Sequence, residues 1–141
     1  MSSGHSVQTF AAVVREEDCD ELGHMNVQHY FRAVSDGMFV MMERLGLTRS
    51  EIARRRISFA VVHAETDFRR ELHAGEAIAL ESCIRQVGDK VVVFDHRLLV
   101  RPGGELAMTT EYRCVLLDLD HRRAVVLPDD IRTAAAAHPL P

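Results

Sequence analysis

One stretch constrains the fold more than any other. From Val27 to about Leu45, the residues Val27, Tyr30, Phe31, Val34, Met38, Met41, Met42 and Leu45 recur three or four positions apart. That is the spacing of one helix face. The second half of the stretch, GMFVMMERLG, is apolar nearly all round. A helix of that kind is expected to be buried on most of its sides. Gly46 supplies a C-terminal stop. A chain of 141 residues has room for one such helix and one layer to cover it.

The covering layer reads as a sheet. Residues 7–15, VQTFAAVVR, form a first strand, and the polar segment DCDELGHMN leads into the helix. A short helix is expected around Thr48–Arg56, with Thr48 or Ser50 as its cap. Strands follow at Ser58–Leu72, Ala77–Val87, Val91–Arg101 and Glu105–Leu119, with a short one at Arg123–Leu127. In the first of these, Ala60, Val62, Ala64 and Phe68 share one face. The connections are HAGE, Gly88-Asp89-Lys90 and Pro102-Gly103-Gly104, all short enough for hairpins. Pro128-Asp129-Asp130 opens a last helix, Ile131–Ala137. Consecutive hairpins make an antiparallel sheet, and its apolar face must take the long helix. The expected class is α+β: five to six antiparallel strands wrapped around one central helix, in a single domain spanning 1–141.

The bulk properties narrow the partners. The net charge is -4 and 47% of residues are hydrophobic, which fits a globular chain and offers no basic face for nucleic acid. Arg54-Arg55-Arg56 reads as a solvated helix end. Cys19, Cys83 and Cys114 are odd in number and lack metal-type spacing, so free thiols in a reducing compartment are expected. No apolar run is long enough to cross a membrane, and MSSGHSVQTF lacks the pattern of a secretory signal. The expectation is a cytoplasmic protein without membrane or nucleic-acid partners. His5, His24 and His29 do not form a metal-binding pattern with an acidic third ligand.

A strand, then D-x-x-G-H-M-N-x-x-x-Y (Asp20, Gly23, His24, Met25, Asn26, Tyr30), then a buried helix and an antiparallel sheet, resembles the hot-dog-fold acyl-CoA thioesterases. EDCDELGHMNVQHYFRAVSD is similar at its start to 4-hydroxybenzoyl-CoA thioesterases. FRAVSD and HAETDFRRELHAGE look closer to thioesterases linked to carnitine and betaine breakdown. The likeness runs roughly from Val7 to Leu127. It implies an acyl-CoA substrate, a homodimer or a tetramer of dimers with active sites at the dimer interface, and no metal or organic cofactor.

By position in that family, Asp20 is the catalytic carboxylate. It would attack a thioester carbonyl directly or deprotonate the attacking water. Backbone N–H groups at the helix start, near Val27 and Gln28, are unpaired donors at a positive dipole end. One such donor is typically worth about 3 kcal/mol of barrier to a developing oxyanion. The resemblance to plant acyl-carrier-protein thioesterases gives His24 a role in orienting the carboxylate or protonating the leaving thiolate. Asn26 reads as the helix cap, with a catalytic role, at the oxyanion or the substrate, as its alternative.

Further candidates lie outside this loop. His63 and Glu65 fall two apart on a strand and share a face, which would reach the partner subunit's site. The carnitine-linked relatives carry E-x-H there, and this chain carries H-x-E. Asp36 matches a recurrent Asp of those relatives; buried in the helix, it would need a partner and would suit a cationic acyl group. Arg69, Arg70, Arg85 and Arg97 are candidates for the CoA phosphates. His96 lies on an apolar strand face and reads as structural. The Met residues at 38–42 read as core, and so do the cysteines, although Cys19 adjoins Asp20. Two other functions suit the same fold: hydration of an enoyl-CoA, and binding of an acyl-CoA without turnover.

Overall fold

The computed structural model describes residues 6–137; the N-terminal stretch before Ser6, with His5, lies outside them. The chain runs β1 (Val7–Val13), a 3-10 turn (Glu16–Asp18), α1 (Val27–Arg44), α2 (Arg49–Arg55), β2 (Ile57–Phe68), β3 (Ala77–Val87), β4 (Val91–Arg101), β5 (Glu105–Asp118), β6 (Arg123–Ala124) and α3 (Asp129–Ala136). The strands form one six-stranded sheet in the order β1-β3-β4-β5-β2, with β6 beside the end of β5. Every pairing is antiparallel. Long strands twist, and the sheet curls around α1. This is the expected hot-dog arrangement.

The core lies between α1 and the concave face. Tyr30, Ala33, Val34, Gly37, Met38, Met41 and Met42 are buried on the helix. They meet Leu80, Ile84, Phe94, Leu98, Met108 and Leu116 from the central strands. Alternate strand residues point to one face, and this alternation supplies that surface. Gly37 is required where the helix comes closest to the sheet. A Cβ there would lie 2.6 Å from Leu80 Cδ2 and 2.7 Å from Thr9 Oγ1.

Three expectations need correction. First, α1 is buried along one stripe only. Phe39 is 64% exposed, because a single curled layer covers one side of a helix. Second, the Ser58–Leu72 strand ends at Phe68. Arg69 N–H bonds to Ala107 O, and the chain turns inward so that Leu72 O accepts Met25 N–H over 2.7 Å. Third, the register of β2 shifts between Val61 and His63. Phe59, Val61, Ala64, Thr66 and Phe68 stand opposite the buried positions of β5, so they are the concave set. The bulge changes the alternation, and strict period-two reading of Ala60 and Val62 fails there. Smaller differences are the ends of β1, β5 and β6 and the earlier start of α3. Thr48, not Ser50, caps α2 by accepting Glu51 N–H.

Candidate active site

The segment between β1 and α1 is a tight loop built around Asp20. Cys19 and Met25 form an isolated bridge, and Asp20 N–H bonds to His24 O over 3.2 Å. Gly23 closes the turn, donating to Asp20 O over 3.0 Å. Its φ of +85 is one that favours glycine. Met25, buried, anchors the loop to the core, and Asn26 N–H bonds to Asp18 O. The loop is therefore fixed by its own backbone before any substrate arrives.

Both oxygens of Asp20 are held. Oδ1 accepts Leu22 N–H over 2.9 Å, as an Asp in a turn does. Oδ2 accepts Asn26 Nδ2 over 2.7 Å. The Asn26 bond, then the Leu22 N–H, holds the carboxyl below its ordinary value against a small opposing effect of burial, and nearby His24 adds to the lowering. Each donor favours the charged form. Each oxygen keeps a further lone pair for chemistry. The turn-forming role of Asp20 is real, but only one oxygen is used for it.

Asn26 is the N-cap of α1, as expected; its Oδ1 accepts Gln28 N–H over 3.0 Å. Of the two amides proposed from sequence, Gln28 N–H is thus occupied. Val27 N–H has no acceptor among the described residues, and Val27 lines the cavity. Asn26 couples the carboxylate to the helix end, where unpaired amides concentrate positive charge.

A cavity of about 500 Å³ opens here, with Asp20, His24, Asn26 and Val27 on one side and Phe68, Arg69, Arg70 and Glu71 on the other. His24 Nδ1 lies 3.2 Å from Met25 O, so that nitrogen carries a proton and Nε2 is the basic one in the neutral ring. His24 Nε2 lies 3.9 Å from Glu71 Oε2. Tyr30 and Phe68 pack edge to face at 5.2 Å and form an apolar floor. Tyr30 OH donates to Arg70 O and so ties α1 to the chain beyond β2.

The structure brings together Asp20, His24, Asn26 and Val27 and leaves the other site candidates apart. His63 and Glu65 lie 3.7 Å from each other, 58% and 76% exposed. They stand opposite Arg113 and Glu111 on the outer face of the sheet, and Glu65 lines a separate polar groove with Asp67, Asp95 and Arg97. Within one chain neither reaches Asp20. Asp36 is exposed on α1; the argument from a buried carboxylate fails because only one stripe of the helix is covered. Among the arginines, Arg70 is bound through both terminal nitrogens to Glu76, and Arg85 pairs with Glu111. Arg69 lines the cavity with no carboxylate within ion-pair distance among the described residues. Cys19 gives its thiol to Arg15 O and does not line the cavity.

Glu71 and Phe68 escaped the sequence reading as site residues. Both belong to the FRREL run after β2, where the turn toward Met25 carries no strong sequence signal. Tyr30 stood in the motif but was assigned to the core.

Residues 14–135 match the Thioesterase-like superfamily, and the chain belongs to it. A 1,4-dihydroxy-2-naphthoyl-CoA hydrolase of Prochlorococcus marinus is 34% identical over 77 residues, covering 49% of this chain and 51% of the hydrolase. The match thus spans about half of that relative. An acyl-acyl carrier protein thioesterase of Arabidopsis thaliana is 26% identical over 94% of this chain and 68% of its own. A Staphylococcus aureus protein solved in complex with CoA shares the fold, with a TM-score of 0.85 and 20% identity over 96% of this chain and 86% of that one. A 1,4-dihydroxy-2-naphthoyl-CoA thioesterase from Synechocystis superposes with a TM-score of 0.80 and 18% identity, over 93% and 96% of the two chains.

Proposed function

We propose that the protein hydrolyses an acyl-CoA thioester, with Asp20 as the reacting carboxylate and the N-terminus of α1 as the oxyanion site. The observation that carries this is the Asn26 side chain, which holds Asp20 Oδ2 at 2.7 Å on the wall of a cavity that Val27, the first residue of α1, also lines. Membership of the superfamily and the named substrates of the relatives support it.

The thioester carbonyl sits over Asp20 with its oxygen toward Val27 N–H. In one route a carboxylate oxygen attacks the carbonyl carbon, the C–S bond breaks and CoA leaves as thiolate. Water then opens the mixed anhydride, releasing the acid and restoring Asp20. In the other, Asp20 takes a proton from the attacking water. Label found in the Asp20 side chain after a single turnover in isotopically labelled water identifies the first route, because only attack of water on the aspartyl carbon of the anhydride puts it there. Neither route calls on a metal or an organic cofactor. Arg69 receives a CoA phosphate at the rim.

The reading includes a homodimer. β2 is an edge strand with Val61, Val62 and Phe68 half exposed. Such an edge is a template for another strand. Pairing β2 with its own copy end to end sets Phe68 beside the partner subunit's Ile57 and matches concave positions to concave positions.

The test is thiol release from a panel of acyl-CoAs by wild type and Asp20→Ala. Release by wild type that falls by about three orders of magnitude in the folded variant supports the assignment. Full activity in Asp20→Ala overturns it. Tight binding of acyl-CoA without release would replace it with a binding function, and water addition to an enoyl-CoA with a hydratase.

A further inference from the structure

Between β2 and β3 the chain forms neither helix nor strand, yet its backbone is held along its length. Arg69 N–H and Arg70 N–H both reach Ala107 O, and Leu72 O accepts Met25 N–H over 2.7 Å. Gly75 N–H donates to Val14 O, and Val14 N–H to Glu76 O. One ion pair closes the segment on itself. Arg70 Nη1 and Nη2 donate to Glu76 Oε1 and Oε2 over 3.1 and 2.8 Å. Nη1 also reaches Glu71 O over 3.1 Å, and Glu76 Oε1 accepts His73 N–H over 2.8 Å. A bidentate pair fixes direction as well as distance.

The bonds that leave this segment lead to the Asp20 site. Tyr30 OH, from the first turn of α1, donates to Arg70 O over 3.1 Å. Leu72 O holds Met25, the residue before Asn26, and Asn26 holds Asp20 Oδ2. Arg69, Arg70 and Glu71 form the cavity wall across from Asp20, whereas Glu76 does not line the cavity. Nothing in the chemistry at Asp20 accounts for the Arg70–Glu76 pair.

We infer that Glu76 is a positioning residue for Asp20. By clamping Arg70 it fixes the Leu72 carbonyl, on which Met25, and through it Asn26 and the carboxylate, is registered. This rests on the thioesterase reading. A displacement of about 1 Å at a reacting group costs on the order of a hundredfold in rate, so a clamp that prevents small shifts has a large effect on kcat. Its effect on stability is small, because both partners are only partly buried.

The experiment measures kcat and KM by thiol release for wild type, Glu76→Ala and Glu76→Gln, with the acyl-CoA of the panel that wild type turns over fastest. Asp130→Ala is the control: the Arg55–Asp130 pair is also bidentate, and neither residue lines the Asp20 cavity. In Glu76→Ala, kcat is expected to fall about tenfold or more while KM changes by less than about threefold. Glu76→Gln keeps an acceptor for His73 N–H and should lie between Glu76→Ala and wild type; it carries the test if the alanine variant does not fold. Asp130→Ala should leave kcat unchanged.

The acid limb of kcat/KM separates positioning from loss of charge. The charged groups that line the cavity with Asp20 are His24 in its own loop and Arg69, Arg70 and Glu71 across from it. Deleting the Glu76 charge alone would leave Arg70 unneutralised and draw the limb to lower pH. Loss of the Asn26 bond, which holds the Asp20 carboxyl down, moves the limb to higher pH. A limb that rises in the folded Glu76 variants supports the inference. Full kcat in those variants, a fall no larger than that in Asp130→Ala, or a limb that stays or drops overturns it and leaves the thioesterase intact. Absence of release by wild type from the whole panel would instead remove the thioesterase reading, and the inference with it.

Discussion

Asn26 donates from Nδ2 to Asp20 Oδ2 over 2.7 Å while its Oδ1 accepts Gln28 N–H over 3.0 Å. One amide therefore caps α1 and orients the carboxylate. Serine also caps helices well but is too short to replace the amide donor. Asn26→Ser should keep the melting temperature near that of wild type and lower kcat by about a hundredfold through misplacement of Asp20. Asn26→Leu loses the cap as well, at about 1 kcal/mol. Urea unfolding and thiol release on both variants check this.

The same bond sets a pH dependence. Asn26 and the Leu22 N–H hold the Asp20 carboxyl below its ordinary value. In wild type the acid limb of kcat/KM should fall below the usual aspartate range. In Asn26→Ser the largest lowering contribution is gone, so the limb moves to higher pH. A limb that stays in place would mean that another group controls it.

A second polar chain lies beneath α1. His96 Nδ1 is 2.7 Å from Ser82 Oγ, which is 2.8 Å from Thr9 Oγ1. His96 Nε2 is buried without a partner among the described residues. Burial pushes the imidazole down from 6.5 to about 4. The unfolded chain then binds a proton that the folded chain refuses between those values. The stabilisation is complete above pH 6.5 and is lost as pH falls toward 4, by about 3 kcal/mol in all. Glu51 and Asp118 are held at about 2, so their losses come at lower pH. Denaturant midpoints at pH 7 and 4.5 should differ in wild type and differ less in His96→Phe.

Gly37 permits the close packing above that chain. In Gly37→Ala the new methyl would meet Leu80 Cδ2 at 2.6 Å and Thr9 Oγ1 at 2.7 Å. Helix propensity favours alanine by about 1 kcal/mol, but overpacking typically costs about 1–3 kcal/mol. Thr9 cannot rotate its hydroxyl away from the new methyl without breaking its bond to Ser82, so a net loss of stability is expected in thermal unfolding. A stabilised Gly37→Ala would show that α1 moves freely over the sheet.

The sequence showed the parts of this molecule that depend on local pattern. The helical spacing from Val27 to Leu45, the hairpin turns and the capping residues Asn26 and Thr48 all act over a few positions. Asp20 and His24 were legible because they share one short loop with the helix start. The misplacement of Asp36 came from reading an apolar composition as burial, which depends on how many layers cover the helix. The phase of β2 was lost at a bulge between Val61 and His63, which no residue type announces. Glu71 and Phe68 join the site only through a turn after β2, a tertiary event with no periodic signature.

The bulged middle of β2 also gives the most direct test of the dimer. Val61 and Val62 are 47% and 57% exposed there, on a strand whose outer edge has no partner among the described residues. In the end-to-end pairing, the two copies of Val61 approach the twofold axis from either side. Val61→Lys puts a charge on the concave side of that pairing, where side chains of neighbouring strands interact directly and a charge would have to be desolvated. An edge lysine also blocks strand addition. The single chain should tolerate the change, because Val61 is already half in solvent. The expected outcome by light scattering is a shift from twice the chain mass to 15.9 kDa, with circular dichroism unchanged. Thiol release should fall with it, as expected of a site at the dimer interface. A variant that stays dimeric and active would place the interface elsewhere and remove the support for a shared site.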